Sequence, residues 1–147
     1  MAHDFKNFPE LTNRQMQLYY FQSPHKQVTE DFRGRVIKVT DGDTIRVATA
    51  FRKFDFPIRL SDIAAPERGE KGGIKSQRWL ENQILGKEID VEINPRLRVG
   101  KWGRLLGTIV FEGRNLNDES LSLGYSVKFG ERKRGEIPDF NIELENL

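Results

Sequence analysis

The sequence lacks several features that define whole classes of protein. It contains no cysteine, which excludes disulfide bonds and thiolate metal sites. Histidine occurs only at His3 and His25, which disfavours a histidine-rich zinc centre. No run of about eighteen apolar residues is present, so we expect no membrane-spanning helix. The N-terminus has no cationic start followed by an apolar stretch, so we expect no secretory signal and a cytoplasmic location.

What the sequence does contain is typical of one globular domain. Its 147 residues are 37% hydrophobic and 31% charged, and the net charge is only +2. The basic side chains are nevertheless concentrated in two short runs: Arg96, Arg98, Lys101 and Arg104, then Lys128, Arg132, Lys133 and Arg134. Such runs either bind nucleic acid or are solvated residues at loop edges, and charge alone does not distinguish these alternatives.

Residues 36–67 organise the chain around three predicted strands. Apolar and polar residues alternate up to Asp41-Gly42, a pair that favours a tight hairpin because both residues accept positive φ. Residues 44–47 form the return strand and residues 56–63 the third. The pattern therefore predicts a small sheet with an acidic turn at one end.

Charged residues are expected to converge at that end of the sheet. The turn carries Asp41 and Asp43, Arg59 lies in the third strand, and Glu67 follows that strand. Carboxylates bind hard divalent cations, arginine binds phosphate oxygens, and a separate glutamate can accept a proton from water. The combination is suited to phosphate chemistry.

The remaining sequence predicts an α+β, β-rich domain with flanking segments. A capping box at Thr12 and Gln15 predicts a helix over residues 13–22, whose apolar side chains we expect to pack against the domain. Further predicted elements are a helix over 74–85, strands over 88–93 and 105–111, a short helix over 116–123 and a strand over 125–129. We assign residues 1–33 to an N-terminal extension, 34–135 to the domain and 136–147 to an acidic tail.

Four fragments, in order and at suitable spacing, resemble the staphylococcal nuclease (thermonuclease) family. They are Asp41-Gly42-Asp43-Thr44, Arg59-Leu60, Ala65-Pro66-Glu67 and Lys101-Trp102-Gly103-Arg104. The resemblance implies a five-stranded OB-fold barrel, with Ca²⁺ as cofactor and DNA or RNA as substrate. We expect a monomer that has no membrane partner.

The resemblance also implies a role for each matching residue. It implies a Ca²⁺ site in which Asp43 is the metal ligand and Asp41 and Thr44 are its neighbours. It implies that Glu67 is the general base. It also implies that Arg59 and Arg104 bind phosphate. For Asp41 by itself, the role of a turn residue is favoured over that of a ligand. A protein carboxylate can equally be the partner of Arg59.

One position departs from the family pattern. Ala64 stands where the family commonly has an aspartate that binds calcium, and Asp62 stands where glycine is usual. In a continuous strand, Asp62 would share a face with Ala64 but lie about 6–7 Å away along the strand. We predict Asp62 and the backbone carbonyl of Ala65 as metal ligands, with weaker or altered cation binding.

Three functions are compatible with the sequence. The first is a metal-dependent nuclease that hydrolyses phosphodiester bonds. The second is a non-catalytic OB-fold module that binds nucleic acid, for which Phe51, Phe54 and Trp102 are candidate stacking residues. The third is a protein-interaction domain that uses the N-terminal extension.

Overall fold

The computed structural model describes residues 4–100 and 103–130, and its elements follow the predicted order. The helices are α1 (Asn13–Tyr19), continued by a 3₁₀ turn (Tyr20–Gln22), α2 (Gly73–Ile84) and α3 (Leu116–Ser122). The strands are β1 (Phe32–Asp41), β2 (Thr44–Ala48), β3 (Phe56–Leu60), β4 (Ile63–Ala64), β5 (Glu88–Glu92), β6 (Leu105–Phe111), β7 (Arg114–Asn115) and β8 (Val127–Lys128).

Five strands close into a mixed barrel. β1 pairs antiparallel with both β2 and β5, β2 pairs with β3, and β5 pairs with β6. The circle closes where β3 and β6 run parallel, with Ile58 opposite Leu105. The architecture is the expected α+β barrel of the OB type. The short strand β7 extends β6, and β4 pairs with β8 in a separate two-stranded sheet.

Alternation along the strands fills the barrel with apolar side chains. The core comprises Val36, Val39, Ile45, Val47, Phe56, Ile58, Leu60, Ile89, Val91, Leu105 and Ile109. Leu80 and Ile84 of α2 and Leu116 of α3 are fully buried against this core. Because α2 contributes buried residues from one side only, its other side is exposed to solvent. No helix in the described ranges is long and apolar enough to cross a membrane.

The hairpin between β1 and β2 differs from its prediction. Asp41 pairs with Thr44, so the two-residue loop is Gly42-Asp43. None of Asp41, Gly42 and Asp43 has positive φ. The expectation that Asp41-Gly42 forms the turn because both residues accept positive φ is therefore wrong. Gly42 is required for a different reason: a Cβ there would lie 1.9 Å from Ser76 Oγ. The hairpin thus packs directly on α2.

The N-terminal extension also packs differently from the prediction. The capping box is present, since Thr12 Oγ1 accepts from Gln15 N and Gln15 Oε1 accepts from Thr12 N. However, α1 and its 3₁₀ turn bury no residue, and Phe21 is 81% exposed. The expectation that the helix packs through its apolar side chains holds only for half-buried Met16, whose Sδ lies 3.1 Å from Arg98 Nη1, and is wrong for Leu18 and Phe21. Residues on either side of the helix are buried instead: Glu10, Leu11, Gln27 and Val28.

The other predicted elements agree to within a few residues. The largest difference is in the first strand, which begins at Phe32 rather than at residue 36. The third strand ends at Leu60, and the last strand is limited to Val127–Lys128. The domain boundaries proposed above remain predictions. The tail over residues 136–147, the basic residues 132–134, and Lys101 and Trp102 lie outside the described residues.

Candidate active site

The hairpin turn presents Asp43 to the segment that follows β4. The Asp43 side chain is 12% exposed, and its Oδ2 accepts a hydrogen bond from Ala65 N at 2.9 Å. Oδ1 accepts from Thr44 Oγ1 at 3.0 Å, and the Asp43 carbonyl accepts from Leu60 N at 2.8 Å. These bonds fix the carboxylate where three chain segments meet.

Two arginines reach the same point from neighbouring strands. Arg59 lies opposite Thr44 in the β2–β3 ladder, and its Nη2 is 3.4 Å from Asp43 Oδ2. The Arg59 guanidinium also lies 4.9 Å from the centroid of the Phe129 ring. Arg104, immediately before β6, donates from Nη1 to Thr44 Oγ1 at 3.1 Å. Closure of the barrel between β3 and β6 therefore brings together two guanidiniums that are distant in sequence.

Asp41 lies in the same acidic neighbourhood. Its pKa is raised above the ordinary value of 3.8, first by burial and then by the negative charges of Asp43 and Glu67. The positive charges of Arg68 and Arg104 oppose this rise. Asp43 and Glu67 thus both repel the ionised Asp41 carboxylate, and a cation bound beside Asp41 would offset that repulsion.

Glu67 stands at the exposed edge of the cluster. A turn holds its backbone: Glu67 N donates to Glu70 Oε1, and Glu70 N donates to the Glu67 carbonyl, each at 2.9 Å. Its side chain is exposed. This position suits a group that exchanges protons with solvent water.

The structure places Asp62 in a turn between β3 and β4. Its φ of +64° lies in the left-handed region, which glycine adopts readily and aspartate tolerates better than most residues. The geometric basis for the prediction, a continuous strand in which Asp62 and Ala64 share a face, is therefore wrong. Asp62 is exposed whereas Ala64 is 1% exposed. Asp62 as a metal ligand stays a prediction. The left-handed backbone conformation is by itself sufficient to explain why an aspartate is found at this position.

The sequence model of the family described as "Staphylococcal nuclease homologue" matches residues 57–142, more than half of the chain. This chain belongs to that family. The closed barrel is consistent with the fold of that family.

Curated relatives carry nuclease names. The chain is 35% identical over 79 residues to a protein named micrococcal nuclease from Shigella flexneri, covering 54% of this chain and 42% of the relative. It is 35% identical over 95 residues to an uncharacterized endonuclease of Escherichia coli O157:H7, covering 64% and 59%. A third relative, an uncharacterized endonuclease of Haemophilus influenzae, is 30% identical over 90 residues, covering 61% and 48%. The chain thus spans about half the length of these relatives.

In this nuclease-family domain, the donor set fits a hard cation only in part. Among residues 4–100 and 103–130, no three acidic or histidine side chains surround a common point. The available oxygen donors are the carboxylates of Asp41 and Asp43, with the Ala65 carbonyl as a backbone candidate. Oxygen donors of this kind suit Ca²⁺, Mg²⁺ or Mn²⁺, and remaining positions would be filled by water or substrate phosphate.

Some residues that build the site were not identified from the sequence. Ser76 of α2 contacts Gly42 and donates from Oγ to the Tyr125 carbonyl at 2.8 Å, so it connects the hairpin to the segment before β8. Arg68 acts on Asp41 through its charge. The position of Arg68 directly after Glu67 was a usable signal, whereas Ser76 carried none.

The predicted basic and aromatic surfaces are only partly available for nucleic acid. Arg98, counted in the first basic run, is 2% exposed and binds protein groups, so for this residue both alternatives, nucleic-acid binding and solvation at a loop edge, are wrong. Phe51 and Phe54 are 47% and 41% exposed, as a stacking surface requires. Both rings also lie within 6 Å of the Arg52 guanidinium, so they have a packing role as well.

Proposed function

We propose that this domain hydrolyses phosphodiester bonds of DNA or RNA with the help of a divalent cation, Ca²⁺ being the first candidate. The observation that carries the proposal is the arrangement around Thr44. Arg104 donates to its hydroxyl, and Arg59 lies within 3.4 Å of the adjacent Asp43 carboxylate. The charges of Asp43 and Glu67 both act on the neighbouring Asp41 carboxyl.

Each residue has a distinct task in the proposed reaction. Glu67 accepts a proton from the attacking water, whose oxygen forms a bond to phosphorus while the bond to the leaving oxygen breaks. Arg59 and Arg104 bind the phosphate oxygens, on which negative charge accumulates in the transition state. Asp41 and Asp43 would hold the cation. When bound, the cation polarises the phosphate and offsets charge on its oxygens.

A specific observation also supports the non-catalytic alternative. Ala64 is buried and offers only a methyl group where the family commonly has a metal-binding carboxylate. With fewer charged ligands, cation affinity falls. A domain that cannot retain the cation would still have the arginines with which to bind a phosphate backbone, and its affinity would fall steeply with salt.

The decisive experiment is a cleavage assay on single-stranded DNA and RNA with Ca²⁺, Mg²⁺, Mn²⁺ or EDTA. We expect cation-dependent cleavage, and Glu67→Gln should reduce its rate by about 10²–10⁴-fold while binding persists. Glu92→Gln, an exposed glutamate on β5, is the matched control. Folded protein that binds nucleic acid but cleaves it with none of the cations would overturn the proposal and support the binding module.

A further inference from the structure

The N-terminal extension is bonded to the loop that carries Arg104. We call residues 4–31 the N-terminal brace, and residues 93–100 and 103–104, which are the described residues between β5 and β6, the Arg104 loop. Asn13 Nδ2 of the brace donates to the Pro95 carbonyl of the loop at 2.9 Å. This contact joins residues 82 positions apart in the chain.

A buried ionic network forms the centre of this contact. Arg98 of the loop donates to the carbonyls of Leu11 and Val28 at 2.9 and 2.5 Å, and to Glu10 Oε2 at 2.9 Å. Glu10 also binds Arg52, which lies between β2 and β3. Each of these three charged side chains is at most 2% exposed. The segment before α1 and the segment after it therefore each have a backbone carbonyl that accepts a hydrogen bond from the same loop residue.

The brace also contacts the loop directly beside Arg104. Gly103 has φ +73°, and a Cβ on it would lie 2.7 Å from Phe8 Cδ1, so the Phe8 ring packs against its backbone. Gly100 N donates to the Arg104 carbonyl at 2.8 Å, and Gly103 N donates to the Gly100 carbonyl at 3.0 Å. Phe8 thus covers the compact turn from which the Arg104 side chain extends to Thr44.

We propose that the N-terminal brace positions Arg104 for the reaction, with Phe8 and Glu10 as positioning residues. The inference rests on the proposed phosphodiesterase function for its kinetic consequence. Of the two arginines proposed to bind phosphate, Arg59 lies in barrel strand β3, whereas the backbone of Arg104 lies in a loop. A guanidinium on an unsupported loop would spend less time at the phosphate, so fixing the loop raises the rate of the chemical step.

The kinetic test compares two phenylalanines of the brace. Phe8→Ala removes the ring on Gly103, whereas Phe21→Ala removes an 81% exposed ring from the 3₁₀ turn and serves as control. We expect Phe8→Ala to lower kcat by about tenfold to 10²-fold and Phe21→Ala to leave it unchanged. In an Arg104→Ala background, Phe8→Ala should cause no further loss. If Phe8→Ala lowered kcat by the same factor in the wild type and in Arg104→Ala, the proposal would be overturned.

A second measurement tests the brace independently of cleavage. The Gly100 amide reports the turn through its hydrogen bond to the Arg104 carbonyl. We expect its hydrogen exchange to accelerate about tenfold in Phe8→Ala, while core amides such as Ile58 keep their rates. Unchanged hydrogen exchange at the Gly100 amide in Phe8→Ala would overturn the proposed role of the N-terminal brace, whether or not the protein cleaves nucleic acid. Accelerated exchange in a protein without cleavage would retain the brace and refute only the proposed function.

Discussion

Replacing Glu10 with glutamine removes the single carboxylate between two buried guanidiniums. Oε1 binds Arg52, while Oε2 accepts from Arg98 at 2.9 Å and from Val28 N at 3.1 Å. Glutamine preserves the size of the side chain but supplies one acceptor oxygen and no charge. The two guanidiniums, whose side chains are each 1% exposed, would then be buried without a compensating anion.

The expected cost is large because burial prevents solvent from replacing the lost interaction. Removing one member of a buried ion pair typically costs about 3–5 kcal/mol, out of a total stability of about 5–15 kcal/mol. Burial already lowers the pKa of the Arg98 guanidinium, an effect that Glu10 opposes. Loss of Glu10 would therefore make both buried cations less stable.

Urea unfolding measures this cost directly. With a slope of about 2 kcal/mol per molar, a loss of about 3–5 kcal/mol lowers the midpoint by about 1.5–2.5 M. Glu88→Gln is the matched control, because the Arg35–Glu88 pair is 3.5 Å long with both side chains more than half exposed, and such pairs contribute little. A midpoint for Glu10→Gln equal to that of Glu88→Gln would refute the assignment of Glu10 as a buried ionic link.

Two further predictions concern the acidic end of the barrel. Burial, and then the charges of Asp43 and Glu67, raise the pKa of Asp41, so the contribution of this residue to stability without metal should fall as pH rises above 3.8. Asp41→Asn should therefore raise the urea midpoint at pH 7 in EDTA but not below pH 3.8. A lower midpoint for this variant at pH 7 would contradict the electrostatic argument. Ala64→Asp should lower the melting temperature in EDTA, since the site is 1% exposed, and Ca²⁺ should then raise it more than in the wild type. Equal Ca²⁺ shifts in both proteins would show that position 64 does not reach the cation.

Sequence patterns were sufficient for most of the strands that form the barrel, because these strands alternate apolar and polar residues with few exceptions. They were also sufficient for the capping box of α1, whose hydrogen bonds lie within four consecutive residues. Prediction failed where a residue serves a distant contact. Gly42 is required by the approach of α2, and the turn at Asp62 interrupts what looked like one strand.

The site shows the same division. The sequence alone determined which residue types could act on a phosphate, since the chemistry of carboxylate and guanidinium groups does not depend on the fold. Only the tertiary structure decided which of them meet: closure between β3 and β6 brings Arg104 to Thr44, 60 positions away. The tertiary structure also shows that Arg98 is not part of a basic surface, because its side chain is buried beside Glu10. Contacts of such long sequence separation depend on how the strands close, and no local pattern records that.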